Sequence, residues 1–107
     1  MDDLNKKLDE SKSGLTEEQW RRIREILTGV VGIKQVKLFG SRATGKYRVG
    51  SDVDLAVWVE PGSEAIFKLK SALEDSTLPY FFDVVDVGSL KEEDNILESI
   101  DRDGVEV

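Results

Sequence analysis

The sequence predicts an α+β domain: a small mixed β-sheet with helices packed on one face, in the order helix, strand, turn, strand, helix, strand, helix. Three observations predict it. At 107 residues the chain is sized for one compact unit. Its 39% apolar residues, together with 9 glycines, are enough for a modest core. Segments of helical periodicity also take turns with short β-branched runs, each bounded by glycine, proline or a capping residue.

Residues 1–14 are polar apart from Leu4 and Leu8, and Ser11-Lys-Ser-Gly14 reads as a flexible joint, so the domain is expected to occupy 15–107. Thr16 with Gln19 forms a capping-box pattern, and Leu15 and Trp20 stand at the two positions of a hydrophobic staple. A helix therefore starts here, with Trp20, Ile23, Leu27, Val30 and Val31 as its apolar stripe, and Gly29 and Gly32 end it. Val36–Phe39 is a short strand that stops at Gly40-Ser41, where Ser41 can cap a helical turn. Val53–Val59 is a second strand. Alternation puts Asp52, Asp54, Ala56 and Trp58 on one side and Val53, Leu55, Val57 and Val59 on the other. Pro61-Gly62 ends it, and residues 63–75 read as a helix with Ile66, Leu69, Ala72 and Leu73 inward. In a third strand, Tyr80–Val87, Asp83 and Asp86 fall on opposite faces and cannot both look at one site. Ser89 with Glu92 predicts the cap of a last helix carrying Leu90, Ile96, Leu97 and Ile100, closed by Gly104 before a short strand over 105–107.

Composition excludes several classes of chemistry. With no cysteine and no histidine, a disulfide framework, a thiolate zinc site, a cysteine nucleophile and a Ser-His-Asp relay are all impossible. The longest uncharged stretch, Ile26–Ile33, is far short of a membrane span, and the first residues lack a secretory pattern, so a cytoplasmic protein is expected. The net charge of -7 argues against sequence-independent duplex binding. That charge resides from Asp83 onward; residues 34–51 hold Lys34, Lys37, Arg42, Lys46 and Arg48 without an acid, directly before Asp52 and Asp54. Such a basic window is sized for one small anion.

Two carboxylates at i and i+2 on a strand lie a few ångströms apart, which like charges tolerate when a cation sits between them. Mg²⁺ meets that need, because it takes hard oxygens from carboxylates and completes its shell with water and phosphates. Gly40-Ser41 closes one strand and the aspartates open the next, so a sheet would hold both together. Backbone N–H groups after Gly40 can receive phosphate oxygens, as the start of a helix does, and Gly40 permits close approach. Arg42 and Lys46 are either phosphate contacts or solvated loop cations, and Trp58 either borders the base or is a core aromatic. Competing motifs fail. Gly40–Lys46 matches seven positions of the Walker A loop, but Tyr47 takes the place of the Ser/Thr and no room is left for its helix. An EF-hand starting at Asp52 would put Ala at position 5 and Val at position 6, and no G-x-G-x-x-G occurs.

Leu38-Phe-Gly-Ser-Arg-Ala-Thr-Gly45, then Ser51-Asp-Val-Asp-Leu-Ala-Val57, then Phe82-Asp-Val-Val-Asp86 together resemble the minimal nucleotidyltransferase (MNT) domain of the DNA polymerase beta-like superfamily. The resemblance covers roughly residues 15–107 and implies the nucleotidyltransferase fold. It implies that Gly40 and Ser41 hold a nucleoside triphosphate, with Arg42 and Lys46 as further phosphate contacts. Asp52, Asp54 and Asp83 become catalytic ligands of two Mg²⁺ ions. Of the two later aspartates the family pattern selects Asp83, and with no histidine present Asp83 is expected to take the acceptor proton. The implied reaction moves NMP, AMP when ATP is the NTP, to an acceptor hydroxyl. Proteins resembling this one pair with a small helical HEPN-domain protein, which implies the antitoxin of a HEPN/MNT pair that modifies its partner. The alternative is a catalytically silent antitoxin or nucleotide-binding module that acts by partner binding. Thr44 and Val49-Gly50 depart from the family's usual residues and bear on loop contacts only.

Overall fold

A computed structural model describes residues 6–107. After a 3₁₀ turn at Glu10–Lys12 the chain forms α1 (Glu17–Thr28), β1 (Ile33–Phe39), α2 (Ser41–Thr44), β2 (Val53–Val59), α3 (Ala65–Glu74) and β3 (Phe82–Asp86). A second 3₁₀ turn at Val87–Ser89 leads to α4 (Asn95–Asp103) and β4 (Val105–Glu106). The sheet order is β3-β2-β1-β4, with β1 antiparallel to β2 and to β4, and β2 parallel to β3. It is therefore the mixed sheet expected from the sequence.

Local chemistry explains most boundaries. Thr16 accepts from Gln19 N–H while Gln19 accepts from Thr16 N–H, so both halves of the capping box are made. Leu15 and Trp20 are both buried in the main core, as a staple requires. That core lies between one face of the sheet and α1 and α3, and contains Ile23, Leu38, Val53, Leu55, Val57, Leu69 and Leu73. Val31, assigned to the stripe of α1, is exposed, because the helix stops at Thr28 and no longer sets its direction.

Four expectations need correction. The helices do not all share one face: Ile100 of α4 packs with Phe39 and Ala56 on the opposite side, the side that also carries Asp54. Phe39, Ala56, Trp58 and Val85 make that face apolar as well, which is why a helix covers it. The flexible joint also fails where it can be seen. Leu8 N–H donates to Glu106 O at 2.9 Å, so residues 6–8 run along β4, and Ser13 is buried with its hydroxyl accepting from Trp20 Nε1 at 2.8 Å. The rest of the proposed N-terminal segment, residues 1–5, lies outside the described residues. The last helix is capped by Asp94, which accepts from Ile96 N–H at 2.9 Å, and not by Ser89, whose hydroxyl donates to Asp86 O. Finally, β1 begins earlier than Val36, reaching Ile33 through an irregular register beside Lys34, and β3 is shorter than Tyr80–Val87.

Candidate functional site

Strand register assembles the site. Phe39, the last residue of β1, pairs with Asp54 of β2, and Asp54 pairs in turn with Asp83 of β3. Partners in adjacent strands project side chains to the same face. Asp54 and Asp83 thus stand side by side, and the turn that follows Phe39 begins beside them. Asp52, exposed just ahead of β2, keeps the same parity. Asp86 is three residues from Asp83 and points to the opposite face.

The turn needs glycine at its entrance. Gly40 has φ 76° and ψ -157°, a conformation closed to most side chains, and a Cβ built on it would strike the Asp54 carboxylate. The Asp54 carboxyl therefore lies directly against the backbone of the turn. Ala43 N–H is the first to bond back, to Gly40 O at 3.1 Å, so the amides of Ser41 and Arg42 open the helical turn ahead of its internal bonds. Gly45, with φ 85°, closes it through a bond to Ser41 O.

Electrostatics follow from this crowding. Burial, then the neighbouring Asp83 and Asp52 charges, push the Asp54 carboxyl from an ordinary 3.8 up to about 6, while Arg42 pulls the other way. A half-buried carboxylate with two acidic neighbours favours a bound cation, and the all-oxygen donor set suits a hard ion such as Mg²⁺. Among the described residues, no group of three or more carboxylates is already gathered to grip an ion. Bare carboxylates repel one another, so an open arrangement is the expected state of these three without a cation.

The structure does not give Arg42 the part of a phosphate contact. It is only 3% exposed; its Nη1 donates to Ser13 O at 2.7 Å and its Nε to Ser51 O at 3.1 Å. The guanidinium is also stacked between Tyr47 and Tyr80, 4.8 and 5.0 Å from their ring centres. These bonds hold it inside the protein, where it ties the N-terminal turn to the loop that delivers Asp52. Sequence reasoning missed this because Ser13 is 29 residues away, beyond any local pattern. Lys46 is exposed just past the turn and free to reach outward. Trp58 sits under Lys37, at 5.8 Å, and is four residues along β2 from Asp54, about 13 Å at strand spacing. Its place is the edge of the second core, away from the aspartates.

Taken together, the fold and the paired aspartates beside a glycine turn define a nucleotidyltransferase domain. The polymerase beta nucleotidyltransferase family matches residues 21–107, and the chain belongs to that family. A solved structure of a candidate minimal nucleotidyltransferase is similar at 31% identity, with a TM-score of 0.68 over 89% of this chain and 99% of the other. Two toxin–antitoxin crystal structures share the fold. One, with AMP-PNP, has 24% identity and a TM-score of 0.65 over 80% of this chain and 69% of the other. The other, a mutant of MntA-HpeT, has 22% identity and a TM-score of 0.62 over 87% and 72%. No curated protein matches the chain.

Proposed function

We propose that this chain is the antitoxin of a HEPN/MNT pair, a Mg²⁺-dependent enzyme that transfers AMP from ATP to a hydroxyl of its small helical partner in the cytoplasm. The observation that carries this reading is the pairing of Asp54 with Asp83 on one sheet face, directly against the Gly40 turn. Toxin–antitoxin proteins of the same fold, one of them crystallised with AMP-PNP, support the choice of partner and nucleotide. Among the described residues no helix is long and apolar enough to cross a membrane.

Each residue has a part in the transfer. The amides of Ser41 and Arg42, and Ser41's hydroxyl, receive the phosphate oxygens that trail the reacting one, with Lys46 closing over them from outside. Asp52, Asp54 and Asp83 hold two divalent cations, which when bound acidify the acceptor hydroxyl and offset the charge of the triphosphate. The acceptor oxygen bonds to the α-phosphorus, and the bond from that phosphorus to the oxygen bridging to the β-phosphate breaks. Pyrophosphate leaves and the acceptor proton passes to Asp83, directly or through water. Asp83 is suited to this because it is the exposed member of the pair, open to an incoming hydroxyl.

A second reading is a silent antitoxin that neutralises by contact alone. Asp54→Asn separates the two. The variant should still bind its partner yet fail to transfer label from ATP radiolabelled at the α-phosphorus, and fail to neutralise. Neutralisation at the wild-type level by Asp54→Asn would instead establish the contact mechanism.

A further inference from the structure

The loop after α2 and the turn before β3 enclose a cleft of about 350 Å³, lined by Tyr47, Val49, Ser51, Pro79, Tyr80 and Phe81 above Arg42. Resting on the nucleotide-transfer reading, we propose that this cleft seats the nucleobase and holds it by stacking on Phe81 and Tyr47. Its position suits the task. Ser51 immediately precedes Asp52, and Phe81 O accepts from Val53 N–H at 2.9 Å, so the cleft opens where the aspartate strands begin. Its volume falls within the range of small-molecule sites, which starts at about 300 Å³.

Two of these residues, Phe81 and Val49, are left in water, while Tyr47 gives only part of its ring to the Arg42 guanidinium. Phe81 is 81% exposed, Val49 is 104% exposed and Tyr47 is 37% exposed, so a large apolar surface stands in water next to the charged site. A base offers flat apolar faces to match it. The floor is rigid in advance: Arg42 is stacked between Tyr47 and Tyr80 and bonded to Ser13 O and Ser51 O, and Tyr80 donates its hydroxyl to Gln19 Oε1 at 2.9 Å. The side chains at the mouth of the cleft are mainly aromatic and apolar, and Arg42 beneath is committed to Ser13 O and Ser51 O, so the base is gripped chiefly by its faces. Such a grip grows with ring area, which makes purine nucleoside triphosphates the favoured class and discriminates little between adenine and guanine.

The test titrates the full chain with Mg-ATP and with Mg-tripolyphosphate, which has the phosphates and no base. Phe81→Ala should weaken ATP binding about tenfold and leave tripolyphosphate within about twofold, the scale expected for one lost aromatic stack. Phe81→Trp should restore ATP binding, and since residue 81 is exposed neither change should disturb folding. Unchanged ATP affinity in Phe81→Ala, an equal loss for both ligands, or wild-type protein binding ATP no tighter than tripolyphosphate would each overturn the proposal. Wild-type protein that binds neither ligand would overturn the nucleotide reading itself, and this inference with it.

Discussion

Gly40 and Asp54 constrain each other. A methyl group at residue 40 would meet the Asp54 carboxylate and would force an alanine into φ 76°, so Gly40→Ala should cost about 2–4 kcal/mol in urea unfolding. Label transfer should fall with it, because the carboxylate must move. A variant as stable and active as the wild type would show that the turn tolerates a side chain. Asp54 also sets a pH signature. Its carboxyl holds a proton to about 6 when folded against 3.8 ordinarily, so its contribution to stability is full below the lower value and is lost as pH rises through the upper one. With no histidine in the chain, no other side chain ordinarily titrates between about pH 5.5 and neutrality. Metal-free protein should therefore melt at a higher temperature near about pH 5 than near about pH 7.5, and Asp54→Asn should shrink that difference. Identical pH profiles for the two proteins would contradict the assigned environment. Mg²⁺, which binds the ionised form, should raise the wild-type melting temperature at the higher pH and do so less for the variant.

Among the elements, α2 shows what local patterns reveal and what they conceal. That the chain turns at Gly40 was legible, but Ser41, expected to cap the turn, is its first helical residue behind Gly40, and the closing role of Gly45 was not read. The service of Arg42 was not legible either, because its partners Ser13, Tyr47, Ser51 and Tyr80 come from four places along the chain. Arg42→Lys keeps the charge but loses the planar stack and the forked reach to two carbonyls, and should cost about 2–3 kcal/mol in denaturant unfolding. A loss below about 0.5 kcal/mol would mean that the strut is dispensable. The caps teach the same lesson: Thr16 and Gln19 satisfied each other as their spacing suggested, whereas Ser89 and Glu92 had that spacing without a helix between them. A pattern of two residues is decisive only when the intervening backbone turns, and the Val87–Ser89 turn took Ser89 for itself.

For the whole molecule, strand register converts a sequence pattern into a site. Alternation along Val53–Val59 was readable, and it correctly divided the core side from the side bearing Asp54. What the sequence could not supply was lateral order: that β3 lies parallel to β2 with residues 54 and 83 opposite one another. Nor could it show that α4 crosses to the aspartate face, since an amphipathic helix fits either side of a sheet with two apolar faces. Parity excludes Asp86 from the same site, which makes that residue the natural control for Asp83. The most direct test measures transfer from ATP labelled at the α-phosphorus to the proposed helical partner, with Asp83→Asn beside Asp86→Asn. Asp83→Asn should lose about 100-fold or more, as removal of a proton-accepting ligand does, and Asp86→Asn should stay near the wild type. Full transfer by Asp83→Asn, or equal loss in both, would contradict a site built on the pairing of residues 54 and 83.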